Sequence, residues 1–137
     1  MTATHSLVNP MLKKLDIEEK LSLLRDPKIN ILTKYQLAIT LSDTKNERVY
    51  YALCELINDN AYLNKRGTFV HCLRNYPPEK SFDLAVDLIL NGNFEVSHEA
   101  FEIIDHFENK IEGEKVKLNY NKLIGFYNSH KTVRVGV

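Results

Sequence analysis

The sequence predicts an all-α protein in which antiparallel helical pairs stack side by side, and three observations carry that prediction. Apolar residues recur near the 3.6-residue spacing of a helix through most of the 137-residue chain. Capping residues and Pro or Gly breaks cut the chain into pieces of helix length. Residues 34–76 and 66–107 also read as two imperfect copies of one helical pair, offset by 32 positions. The offset sets Tyr50 on Phe82, Leu56 on Leu88, Ile57 on Ile89, Tyr62 on Phe94 and Phe69 on Phe101. A repeated pair cannot bury its apolar face alone. About three such pairs are therefore expected to stack into an α-solenoid, an architecture whose broad surfaces bind other macromolecules.

The elements follow in order. Residues 1–12 are expected to form a flexible arm, since they are largely polar and Pro10 interrupts them. The first helix is expected from Ile17 to Arg25, with Asp16 and Glu19 spaced as a capping box and Asp26-Pro27 as its stop. The second covers Ile31 to Leu41, with Leu32, Tyr35, Leu37, Ala38 and Leu41 inward. Ser42-Asp43 is expected to end it and cap the third, Lys45 to Asn58, whose inner face is Val49, Tyr50, Leu53, Leu56 and Ile57. The fourth, Lys65 to Asn75, turns Phe69, Val70 and Leu73 inward before Tyr76-Pro77-Pro78 forces a corner. The fifth starts at Pro78 and buries Phe82, Ala85, Val86 and Ile89. Asn91-Gly92-Asn93 stops it, with the glycine expected in the left-handed conformation. The sixth runs from Ser97 to Phe107 with Ala100, Phe101, Ile104 and Phe107 inward. A final helix is expected over 115–128, followed by a tail at 130–137.

Size and composition suit a single domain over residues 1–137, with 44% hydrophobic and 26% charged residues. No run approaches the length of a membrane helix and the N-terminus lacks the pattern of a signal peptide, so a cytoplasmic location is expected. Cys54 and Cys72 read as core thiols. The formal charge of zero conceals segregation. Residues 1–78 carry eleven Lys and Arg against eight Asp and Glu, residues 79–114 carry two against ten, and residues 115–137 carry five against none. A block of one sign steers a partner of the other sign and repels phosphates, so nucleic acid is a poor fit to the middle block.

The stretch from Asp87 through Asn91-Gly92-Asn93 and Val96 to Ala100 and Ile104 resembles the second half of a HEAT repeat: a helix ends, a tight turn follows, and a Val leads into a helix with Ala at its close-packing position. Ser97-His98 stand where that family commonly has Arg, Gly67 and Thr68 replace Glu99 and Ala100 in the earlier copy, and the period of 32 is short for a HEAT unit. The resemblance implies a concave surface lined by the second helix of each pair.

The search for chemistry finds no phosphate-binding glycine motif, no nucleophile elbow and no paired Cys-x-x-Cys. His98-Glu99 resembles the start of a zinc-protease motif, but Glu102 stands where its second His belongs, and His98, Glu102 and His106 read as surface groups rather than ligands. No catalytic residue, metal or cofactor is expected. The residues expected to meet a partner are Glu79, Asp83, Asp87, Glu95, His98, Glu99, Glu102, Asp105 and His106. Small, all-helical chains with this charge pattern resemble some immunity proteins of bacterial toxin systems. That resemblance implies occlusion of a basic toxin domain, such as a nuclease, by the acidic units. The alternatives are a scaffold that holds a peptide through Tyr62, Tyr76 and Phe94, and a nucleic-acid-binding repeat using Lys65, Arg66, Arg74, Lys115, Lys117, Lys122, Lys131 and Arg134.

Overall fold

In a computed structural model that describes residues 10–105 and Lys122, every regular element among the described residues is helical. In chain order these are α1 (Pro10–Lys13), α2 (Ile17–Arg25), α3 (Ile31–Ser42), α4 (Glu47–Ile57), α5 (Gly67–Cys72), α6 (Pro78–Asn91) and α7 (Phe94–Asp105), with 3-10 turns at Asn60–Tyr62 and Leu73–Asn75. The chain divides at the Tyr76-Pro77 corner into two compact units, Met1–Tyr76 and Pro77–Val137. The final helix and tail expected after residue 115 lie outside the described residues, apart from Lys122. None of the described helices is long and apolar enough to cross a membrane.

Local chemistry accounts for most boundaries of the first unit. Asp16 Oδ1 accepts from the Glu19 amide at 2.8 Å and Glu19 Oε1 accepts from the Asp16 amide at 3.1 Å, which is the capping box expected for α2. Asn30 caps α3 through the Thr33 amide at 2.9 Å. The break after α3 is longer than expected. Ser42 remains helical and buried, Lys45 takes a left-handed φ of 59°, and Asn46, rather than Ser42 or Asp43, caps α4 through the Arg48 amide at 2.8 Å. The arm expected through residue 12 ends in the turn α1, and Leu12 is buried because an apolar side chain there has a core to enter.

The core of this unit gathers Leu21 and Leu24 of α2, Leu37, Ala38 and Leu41 of α3, Val49, Leu53 and Ile57 of α4, and Phe69, Val70 and Leu73. The inner face of α3 departs from expectation. Leu32 is 69% exposed, and Lys34 stands in the inner row at i, i+3, i+4 and i+7 with Leu37, Ala38 and Leu41. Aromatic rings close the assembly edge to face, with Tyr35 on Phe69 at 5.5 Å, Tyr62 on Phe69 at 6.1 Å and Tyr50 on Tyr76 at 5.2 Å. Cys54 is half-buried and Cys72 buried, and neither forms a disulfide.

In the second unit α6 and α7 form a helical hairpin around Phe82 and Val86, with Leu90 and Ile104 packed against them. Pro78 occupies the first turn of α6 as expected. Gly92 is not left-handed. Its φ of −82° and ψ of 165° are open to any residue, and glycine is needed for proximity instead. A Cβ there would stand 2.6 Å from both the Leu88 carbonyl oxygen and Val96 Cγ1. Helix α7 begins at Phe94, earlier than expected, because Asn93 Oδ1 accepts from the Val96 amide at 2.9 Å and so supplies the cap. Its buried residues are Val96, Ala100 and Ile103. Phe101 is therefore turned outward, and Phe107 lies outside the described residues.

Candidate acidic and aromatic surface

The expected partner-binding residues divide between two helices. On α6, Glu79, Asp83 and Asp87 recur every four residues and are exposed, on the flank of the helix beside the buried Phe82 and Val86. On α7, Glu95, His98 and Asp105 are exposed, while Glu99 and Glu102 are half-buried. His106 lies outside the described residues. The helical period thus presents an acidic row on α6, accompanied by exposed Glu95 and Asp105 on α7. Asp87 also approaches Lys122, at 4.0 Å between Oδ1 and Nζ. This exposed pair, worth under about 1 kcal/mol, brings one residue of the basic C-terminal block to the acidic row within the same chain.

Exposed aromatic surface accompanies the acids on α7. Phe94 is 89% exposed and Phe101 53%, and they stand two turns apart with His98 between them. The imidazole of His98 stacks on Phe94, with ring centroids 6.4 Å apart. Of the aromatic residues proposed to hold a peptide, Phe94 is thus open, Tyr62 is half-buried, and Tyr76 is buried. The Tyr76 hydroxyl donates to the Asn46 carbonyl at 2.8 Å. Burial first, and then the neighbouring Cys72, push that phenol up to about 12.

The basic residues of the first unit serve different ends. Arg66 was expected on the surface, yet it is 9% exposed. Its Nη1 donates to the Ile57 carbonyl at 3.2 Å and its Nε to the Leu63 carbonyl at 3.1 Å, so the guanidinium closes the C-terminal end of α4. Lys34 does the same for α2. Its fully buried ammonium donates to the Leu24 carbonyl and sits 5.6 Å from the centre of the Tyr62 ring. Burial lowers its pKa below the ordinary lysine value, and Asp26 opposes that shift. Neither role could be read from the chain, because each cation is recruited by a carbonyl at least nine residues away in sequence.

The Ser97 hydroxyl lies 3.1 Å from the Ile89 carbonyl, 3.2 Å from that of Gly92 and 3.3 Å from that of Leu88. It ties the start of α7 to carbonyls at the end of α6 and in the turn that follows. No buried side-chain nitrogen or oxygen among the described residues lacks a hydrogen-bond partner, and no group of three or more His, Cys, Asp or Glu there is arranged to hold a metal ion. The chain matches no protein-family model, no curated protein and no solved structure.

Proposed function

We propose that this chain is a non-catalytic, cytoplasmic protein-binding module, a short HEAT-like α-solenoid that neutralises a basic toxin domain by covering its cationic face. The observation that carries the reading is the exposed acidic row of α6, Glu79, Asp83 and Asp87, together with exposed Glu95 and Asp105 on α7. Like charges four residues apart cost an isolated helix a few tenths of a kcal/mol, a small repulsion that a cationic partner relieves. A charge pair desolvated at an interface centre is worth about 1.5 kcal/mol or more, so three such contacts suffice for a large difference in affinity. Occlusion requires no chemistry from the module. The nucleic-acid reading is weakened by Arg66, whose guanidinium is committed to backbone carbonyls.

The test is co-expression of the tagged chain with the product of the gene immediately upstream, followed by titration of the purified partners. The expected result is a stoichiometric complex in which a basic protein loses its toxicity. The triple variant Glu79→Lys, Asp87→Lys, Glu95→Lys changes exposed positions only. It should weaken the complex by about a hundredfold or more, which corresponds to about 3 kcal/mol. Unchanged affinity in a folded triple variant rejects the acidic surface, and binding of duplex DNA that fades steeply with salt would favour the nucleic-acid reading instead.

A further inference from the structure

We propose that the Phe94–His98–Phe101 row of α7 docks one amphipathic helix of a protein partner, and that this helix presents a Lys or Arg beside an aromatic residue. The inference rests on the protein-binding reading and specifies the chemistry of the partner. Its first support is a comparison inside the chain. At the 32-residue offset Phe94 and Phe101 correspond to Tyr62 and Phe69, with the same spacing of seven. In the first unit those two rings are covered by α3: Lys34 places its ammonium 5.6 Å from the Tyr62 ring centre and Tyr35 meets Phe69 edge to face at 5.5 Å. One basic-aromatic dipeptide reaches both rings there because Tyr62 and Phe69 lie 6.1 Å apart, whereas Phe94 and Phe101, two turns apart on one helix, call for one such dipeptide each. Within the second unit the corresponding rings are open, at 89% and 53% exposure.

The second support is charge. Exposed Glu95 and Asp105 bracket the aromatic row, and the surrounding residues 79–114 carry ten acidic side chains against two basic ones. A cationic helix meets this surface favourably. A second copy of the chain is disfavoured, because an isologous contact would set the same acids against each other. The spacing suits a helix as well, since anchors two turns apart span about 10 Å along α7 and match the i, i+7 periodicity of a helix laid against it.

The probe is a fluorescein-labelled helical peptide carrying Lys-Tyr at two positions seven residues apart on an otherwise Ala- and Lys-rich background, with a twin in which Glu replaces every Lys. Anisotropy is measured against the full chain. The proposal expects saturable binding of the basic peptide, about a tenfold or greater loss in Phe94→Ser/Phe101→Ser, and no binding of the acidic twin. Circular dichroism confirms that the double variant melts like the parent. Binding that survives the double variant, equal binding of the twin, or no saturation by about 1 mM basic peptide overturns the proposal. Sedimentation that shows a dimer lost in the double variant would assign the row to a second copy and also overturn it. A toxin complex that keeps full affinity in the double variant defeats this inference alone. Peptide binding without any complex with the upstream product defeats only the toxin reading.

Discussion

Replacing Arg66 by Met tests whether a buried cation is what closes the end of α4. Ile57 is the last residue of that helix, where the backbone geometry leaves its carbonyl without a helical amide, and Arg66 Nη1 is its donor at 3.2 Å. The second contact, to Leu63 at 3.1 Å, lies nearer the surface, since Leu63 itself is exposed. Water can replace that donor when the guanidinium is removed, whereas the buried Ile57 carbonyl is left unpaired. A hydrogen bond from a charged donor contributes about 1.5–3 kcal/mol, and an orphaned buried acceptor costs a similar amount. Met retains most of the packing of the Arg stem and avoids the desolvation of a cation, which offsets part of the loss. The expected destabilisation is about 2 kcal/mol. Arg66→Lys should lose about 1 kcal/mol, because it keeps a positive charge at the helix C-terminus without the forked donor. Urea unfolding followed by far-ultraviolet circular dichroism reads both variants, with an unchanged denaturant slope as the control. If Arg66→Met stays within about 0.5 kcal/mol of the parent, the Ile57 carbonyl is hydrated and the capping argument fails.

Gly92→Ala should destabilise the α6–α7 hairpin by about 1–3 kcal/mol, since its Cβ would press on the Leu88 carbonyl oxygen and on Val96; a neutral effect in thermal melts would show that the turn opens freely. Tyr76 is protonated more tightly when folded, with its phenol at about 12 against an ordinary 10.0, so its stabilising contribution is complete below pH 10 and declines as pH rises towards 12. Tyr76→Phe should flatten that decline in pH-dependent unfolding while costing about 1 kcal/mol at neutral pH through loss of the Asn46 contact. Lys34 has the opposite sign. Its folded value is lowered, so the cost of burying its charge is fully present below that value and fades as pH rises towards the ordinary 10.5. Lys34→Met should abolish this alkaline gain, and an unchanged pH profile would refute the burial argument.

The local signals in the chain carried the boundaries well wherever the boundary is itself a local event. Asp16 and Glu19 act on amides three residues away, Pro78 fits a first helical turn by its own ring geometry, and the 3.6 spacing places Glu79, Asp83 and Asp87 on one side of α6 without reference to any other element. The acidic row was legible for this reason. The errors fall where a short-range pattern met a long-range decision. Leu32 and Lys34 each fit a helical face, and only the Leu24 carbonyl and the Tyr62 ring determine which of them turns inward. Phe101 fits an inward face with Ala100, Ile104 and Phe107 by spacing alone, yet it is exposed, whereas Phe69 at the 32-residue offset is covered by Tyr35.

The sequence by itself determined the all-α class, the capping of α2, the Pro-Pro corner and the charge segregation, because each depends on residues a few positions apart or on composition. Only the tertiary structure decided that Lys34 and Arg66 serve helix ends, that Gly92 is required for proximity rather than for a left-handed turn, and that Phe94 and Phe101 face outward. The physical reason is that burial and carbonyl satisfaction are set by whichever element packs opposite, a property of distant neighbours that local periodicity does not contain.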